Sequence, residues 1–337
     1  MNRRAVLALP LIAAFPTVLH ARPLADAAGE ILDEAAEFEA LKTVVVMRGG
    51  ETISERGYRS STPDAPTNIK SASKSVISAL VGIAVDKGLL EGPEQKIAPL
   101  LRRELPDDPD PRIADITVGH LLSMQAGLGR TSGPNYGRWV SSRTWVRAAL
   151  AMPFDGEPGG GMLYSTGSTH LLSAILTRVG GRPTLALARE WLEPVEGFRI
   201  ASLDRDPQGI YLGGNQMAMS ARSLAAFGEL YRNGGMAGGR RVLSQGWIDQ
   251  SWTVRTHSVF NGDGYGYGWF IRKLGGHEVR YAWGYGGQML YIVPELALTV
   301  VMTSAEDNPS ARSGYRDELH GLAARLIEAA AQEAAGG

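Results

Sequence analysis

No cysteine occurs among the 337 residues, which excludes disulfides, thiol nucleophiles and thiolate metal sites. It identifies no compartment, because a chain of this length buries a core without covalent staples. A charge excess of either sign is also missing. Lys and Arg number 34 against 35 Asp and Glu, for a formal charge of −1, and the basic residues are scattered, so no electrostatic footprint for nucleic acid is present. Histidine is scarce, with six residues and no His-Glu-x-x-His or other ligand spacing among them, so no metal site is expected. His120 and His170 read as partly buried helix residues. No Gly-x-Ser-x-Gly occurs, which argues against the strand-to-helix nucleophile elbow. Gly264, Gly266 and Gly268 alternate inside an expected strand with no helix after it, a poor dinucleotide loop. The prolines of "ELPDDPDPR" make that acidic stretch a solvated turn rather than a cation loop. No metal or organic cofactor is expected.

Long apolar runs are absent too. The stretch from Ala5 to Leu19 is broken by Pro10 and Pro16 and falls short of the ~20 residues needed to span a bilayer. It follows Arg3 and Arg4 and precedes small residues, the order of a bacterial export signal rather than an anchor. Residues 1–27 are therefore expected to direct the protein to the periplasm or medium. Cleavage is expected after Ala21 or Ala27, with the twin-arginine route open, and no stable membrane span should remain in the mature chain.

What is present is an ordinary globular composition, 44% hydrophobic and 20% charged. "LKTVVVMRGGETISERGYR" reads as strand, Gly-Gly turn, strand. In "TNIKSASKSVISALVGIAVDKGLL", Val76, Ile77, Leu80, Val81, Ile83 and Ala84 recur at helical spacing and Gly88 stops the pattern. A long block of helical signals follows. Then "GYGYGWFIRKLGG", "EVRYAWGYGGQMLYIVPE" and "LALTVVMTS" read as three consecutive strands, and "RDELHGLAARLIEAAAQEAA" as a closing helix. Strands at both ends imply an α+β fold: one antiparallel sheet built from residues 28–88 and 261–337, flanked by helices, with a mostly helical insertion over 89–260.

Lysine is the other scarce residue, six in all, yet two of them close hydroxyl-x-x-Lys spacings, Thr67 to Lys70 and Ser71 to Lys74. Given 23 serines, about 0.4 Ser-x-x-Lys spacings arise by chance, so the motif alone is weak and a plain helix start competes with it. Context separates the two pairs. Ser71 and Lys74 sit on one face of a helix start. Apolar packing there disfavours the ammonium form of Lys74 and frees its amine to take the Ser71 proton. The Ser71 backbone N–H at the helix start suits an oxyanion. Thr67 and Lys70 precede the apolar period and read as an approach loop.

The order of Ser71-x-x-Lys74, "LYSTGSTHLL" and "AWGYGGQMLYIVPE", together with "ITVGHLLSMQAGL" and "MSARSLAAFGELYRNGGM", resembles the class C β-lactamase-like, penicillin-recognising serine hydrolases. The "GYGGQ" segment is similar to the 6-aminohexanoate-dimer hydrolase and esterase branch. The resemblance implies a β-lactamase/transpeptidase-like fold, Ser71 as acylated nucleophile, Lys74 as its base, and Tyr164 as a proton shuttle whose pKa the Lys74 cation holds down. The alternative for Tyr164 is an aromatic anchoring a helix-capping turn. Thr166 occupies the place where many relatives carry a substrate-binding Asn. The third motif, an edge-strand Lys-Thr-Gly in many relatives, falls on Ala282, Trp283 and Gly284, with the Tyr285 N–H as second oxyanion donor. The absence of a cation there favours ester or amide substrates over carboxylate-bearing lactams, although Arg130, Arg138 or Arg143 could supply one. A β-lactamase or D-Ala-D-Ala carboxypeptidase, and an idle cell-wall or peptide-binding relative, are the competing readings. The expected partner is a small ester, amide or peptide-like substrate; the sequence leaves the oligomeric state open.

Overall fold

The computed structural model describes residues 23–307 and 309–336. Most of the expected export segment, residues 1–22, lies outside them. Its last residues form the first turn of helix α1 (Leu24–Glu34), in which Leu24, Ala28, Ile31 and Leu32 recur at helical spacing and are buried.

The hairpin follows as β1 (Leu41–Arg48) and β2 (Glu51–Gly57). Next come the short strand β3 (Thr67–Asn68) and helix α2 (Ser73–Asp86); the expected approach loop is thus corrected at Thr67, which is held in a strand by pairing with Met219. The helical block contains α3 (Thr166–Val179) and α4 (Ala221–Arg232), with short strands β4 (Ser202–Leu203), β5 (Met217–Met219), β6 (Met236–Ala237) and β7 (Arg240–Arg241). The remaining strands are β8 (Thr256–His257), β9 (Gly264–Tyr265), β10 (Phe270–Leu274), β11 (His277–Gly284), β12 (Gln288–Val293) and β13 (Leu298–Ser304), before helix α5 (Tyr315–Gly336).

One antiparallel sheet runs β2-β1-β13-β12-β11-β10-β9-β8, so the two ends of the chain meet at the β1–β13 seam, where Val45 faces Val301. Alternation along each strand divides the core between two faces. Val44, Val46, Met289, Tyr291 and Met302 pack toward α1 and α5, whereas Val45, Leu290, Ile292 and Val301 pack toward α2, α4 and the helical block. This is a β-lactamase/transpeptidase-like α+β architecture.

The expectation of three late strands is corrected. "EVRYAWGYGGQMLYIVPE" is the β11–β12 hairpin, because Gly286 and Gly287 take φ of 86° and 101°, a backbone open to glycine, and the Gly287 N–H closes the turn on the Gly284 carbonyl at 3.1 Å. "GYGYGWFIRKLGG" likewise breaks into β9 and β10. Residues 256–257, read as part of the helical insertion, are β8 of the sheet. β11 is not an edge strand, since β12 and β10 flank it. Its pairing with β10 nevertheless ends at Tyr281 opposite Phe270, so Ala282–Gly284 runs on past that neighbour.

The free end of β11 abuts the segment ahead of α2. A Cβ on Gly284 would lie 2.2 Å from the Ile69 carbonyl oxygen, a backbone atom with no rotamer to yield. Gly284→Ala is therefore expected to lower the urea midpoint by the equivalent of about 1–3 kcal/mol. An unchanged midpoint would show that the two backbones are not locked together.

Candidate active site

Three short stretches converge at the start of α2. The first is the approach to Ser71. β3 pairs with β5, the Ile69 N–H donates to the Met217 carbonyl at 2.9 Å, and the Lys70 N–H donates to Asn68 Oδ1 at 2.9 Å. Lys70 holds φ at +51°, a left-handed conformation that costs a non-glycine residue on the order of 1 kcal/mol. Ser71 then sits in a 3-10 turn, Lys70–Ala72, rather than in α2 itself. The first helical bond of that turn runs from the Ala72 N–H to the Ile69 carbonyl, so the Ser71 N–H precedes it.

The second stretch is the first turn of α2. Lys74 lies three residues on and is 1% exposed, with Nζ 2.9 Å from Ser71 Oγ and 2.7 Å from the Gly214 carbonyl oxygen. Burial alone lowers its pKa to about 7. Near neutral pH about half of it is thus uncharged, and the Ser71 contact can reverse so that the hydroxyl donates to the amine.

The third is the entry to α3. Tyr164 is buried, and the Lys74 Nζ lies 5.0 Å from its ring centroid. Burial pushes its phenol up to about 12, and a hydrogen bond with the Ser71 side chain offsets part of that rise. This corrects the expectation that the lysine holds the tyrosine down: burial dominates at Tyr164, which is a neutral phenol that can give a proton only when it receives one in turn. Thr166, the first residue of α3, has its hydroxyl 2.9 Å from Ser132 Oγ, and its N–H donates to the same oxygen at 2.8 Å. That pins the 131–132 loop to the helix.

Trp283 projects from the opposite face of β11 to Ala282. Phe260 and Phe270 pack on it, and the Arg316 guanidinium lies 5.4 Å from its ring. Tyr285, in the β11–β12 turn, is half exposed. Arg130, Arg138 and Arg143 are all exposed. Of the histidines, His170 is fully buried with Nε2 3.0 Å from Asp206 Oδ2, between Trp139 and Trp145. Asp206 Oδ1 accepts the Gln208 and Ile210 N–H groups. The pair therefore steadies the loop that leads to Gly214.

Two participants are invisible to a reading by side-chain chemistry. Gly214 contributes only a carbonyl, and its signal, the Gly213-Gly214 pair, is no more specific than any turn. Phe260 stands 5.3 Å from the Tyr164 ring and 5.8 Å from Trp283, centroid to centroid. An aromatic in the turn-rich "SVFNGDG" was its only trace.

Known proteins resemble this chain over most of its length. The family profile described as Beta-lactamase matches residues 35–325. A 6-aminohexanoate-dimer hydrolase of Paenarthrobacter ureafaciens is 25% identical over 327 residues, 88% of this chain and 79% of the relative. Among solved structures, a family VIII carboxylesterase superposes with a TM-score of 0.72 at 18% identity, covering 93% of this chain and 98% of its own. EstCE1, described as a hydrolase with promiscuous acyltransferase activity, gives 0.72 at 18% identity, covering 91% and 98%. At these identities the two structures speak for the fold. With a profile match over most of its length, the chain belongs to the beta-lactamase family of serine hydrolases.

Proposed function

We propose that this hydrolase cleaves esters or amides through an acyl-enzyme on Ser71. The observation that carries the reading is the 2.9 Å contact between Ser71 Oγ and a buried Lys74 whose pKa burial brings to about 7. Neutral Lys74 takes the hydroxyl proton as Ser71 attacks the carbonyl carbon. The N–H groups of Ser71 and Tyr285 receive the developing oxyanion. The proton passes through Tyr164 to the departing alcohol or amine as the C–O or C–N bond breaks. Water then attacks the acyl-enzyme, with Lys74 again as base, to release the acid and restore Ser71. A pure binder has no use for a lysine held this way, which disfavours the idle reading.

The site's chemistry follows from its acidic pH limb. kcat/KM is expected to rise with pH, with a midpoint near 7 as Lys74 deprotonates. Lys74→Arg should lose at least ~100-fold in kcat because a guanidinium does not deprotonate. Fluorophosphonate labelling should fall on the Ser71 peptide and vanish in Ser71→Ala. Near-normal turnover by Lys74→Arg would remove Lys74 as base, and an adduct on Ser73 or Ser75 would overturn the nucleophile.

Substrate class rests on the third motif and the rim. Ala282 and Trp283 stand where a carboxylate-binding cation is common in relatives. Arg316 stacks on the far ring and is engaged with Asp317 at 2.9 Å. Three exposed apolar side chains, Val259, Phe260 and Tyr285, lie on the two loops beside Tyr164 and Trp283. Apolar surface of this kind favours apolar or linear acyl chains. One missing charge-assisted contact costs a carboxylate substrate roughly 1.5–3 kcal/mol, or about ten- to a hundred-fold in kcat/KM. Measurable hydrolysis of p-nitrophenyl butyrate and weak turnover of nitrocefin are expected. Ala282→Lys should narrow the gap. Efficient nitrocefin hydrolysis by the wild type, or no ester turnover, would instead favour a β-lactamase or D-Ala-D-Ala peptidase.

Export is part of the same proposal. The two candidate cuts differ physically. Cleavage after Ala27 would remove the buried Leu24, whose N–H donates to Glu333 Oε1 at 2.8 Å, whereas cleavage after Ala21 leaves α1 whole. N-terminal sequencing of periplasmic protein should therefore read Arg22 first. Recovery of Ala28 would show that α1 tolerates losing its first turn, and intact Met1 in a soluble cytoplasmic fraction would end the export reading.

A further inference from the structure

The Thr67-x-x-Lys70 pair is not absorbed by the mechanism, yet its members surround one carboxylate. Glu306 follows β13. Its Oε1 accepts the Thr67 hydroxyl at 2.9 Å and the Asn68 N–H at 3.3 Å. Its Oε2 lies 3.7 Å from Lys70 Nζ, with Lys42 Nζ 4.0 Å from Oε1. Partial burial pushes this carboxyl up, but the Thr67 and Asn68 hydrogen bonds and the two ammonium groups outweigh it, and the group lies below the ordinary carboxylate range.

An isolated ion pair at this exposure is worth little. Three contacts from residues 67, 68 and 70 to one carboxylate are different, because they grip the backbone on the approach to Ser71, and hydrogen bonds to an ionised acceptor are the stronger kind. The gripped segment includes Lys70 at φ +51°. Locally only the Asn68 Oδ1 acceptor, 2.9 Å from the Lys70 N–H, supports this turn, and a left-handed lysine is strained enough that contacts elsewhere help to hold it. The other neighbour of Glu306 is equally placed: a Cβ on Gly286 would meet the Ala305 carbonyl oxygen at 2.3 Å. Residues 305–306 thus touch the approach to Ser71 with a side chain and the Tyr285–Gly286 turn with the backbone.

We propose that Glu306 and Lys70 are positioning residues that latch the approach segment to the end of β13 and so set the spacing of the two oxyanion N–H groups, of Ser71 and Tyr285. The latch rests on the reading of Ser71 as nucleophile. Its loss should slow acylation more than it weakens substrate binding, because the transition state alone carries the oxyanion.

The test follows the rate of fluorophosphonate labelling at Ser71, with kcat and KM for p-nitrophenyl butyrate. Glu306→Ala is expected to slow labelling and kcat by roughly ten- to a hundred-fold with KM within about threefold. Glu306→Gln, which keeps an acceptor for Thr67 and Asn68, should retain more of the rate. The decisive variant is Lys70→Gly/Glu306→Ala, since a glycine adopts positive φ without being held. It should recover several-fold over Glu306→Ala, a rescue that a general loss of stability would not give. If Glu306→Ala does not fold, Lys70→Met breaks the pair from the other side and should slow labelling at least several-fold. Wild-type labelling rates in a folded Glu306→Ala or in Lys70→Met, or a double variant no faster than Glu306→Ala, would overturn the latch while leaving the nucleophile intact. Failure of the wild type to label at Ser71 would overturn both.

Discussion

Burying the ammonium of Lys74 is the constraint on which the site depends. In the folded chain its pKa stands at about 7 against an ordinary 10.5, so the folded state binds fewer protons than the unfolded one as pH falls between those values. Stability is therefore lost progressively from about pH 10.5 down to about 7, and the full cost, on the order of 5 kcal/mol, persists below that. This is a large share of the net stability of an ordinary domain. The surrounding packing bears it: the lysine is 1% exposed, its Nζ lies 5.0 Å from the Tyr164 ring centroid, and the Gly214 carbonyl satisfies one of its N–H groups. The same packing that makes the position costly creates a base near neutrality, and it keeps Tyr164 a phenol.

Fold and site are built from the same joints. The β11–β12 hairpin fixes Gly284 against Ile69, and the β3–β5 pairing fixes Ile69 from the other side, so the backbone around Ser71 is defined by two different sheets. The His170–Asp206 pair works at one remove, holding the loop that presents Gly214. None of these groups needs to touch substrate to matter.

The legible part of this protein was the part written in periodicity and residue type. Helical spacing from Val76 to Ala84 located α2, and the three-residue interval from Ser71 put hydroxyl and amine together. The β1–β2 hairpin and the meeting of both chain ends in one sheet also followed from pattern. Less legible was whatever depended on backbone alone. Gly286 and Gly287 split one expected strand into two because only their φ values, not their hydropathy, mark the turn. The 3-10 turn carrying Ser71 has no composition of its own. Residues 256–257 are too few for an alternation to show. The lysine–tyrosine expectation failed for a different reason, since burial dominates at Tyr164.

The β1–β13 seam joins residues far apart in the chain: the Thr43 and Thr303 hydroxyls, 260 positions apart, lie 2.6 Å from each other. β1 cannot find its inner neighbour until Leu298–Ser304 has been synthesised, and contacts of such separation form slowly. Until then a ribosome-bound chain holds Val44, Val45 and Val46 paired at most with β2 and without their β13 partners, leaving one strand edge open to chaperones or to aggregation. Ser71 and Lys74, a single turn apart, are made early, but the surroundings that bury Lys74 are complete only once Gly214 and Gly268 have been made. On the mechanism proposed above, the nascent chain is in effect a zymogen activated by its own residues 264–304.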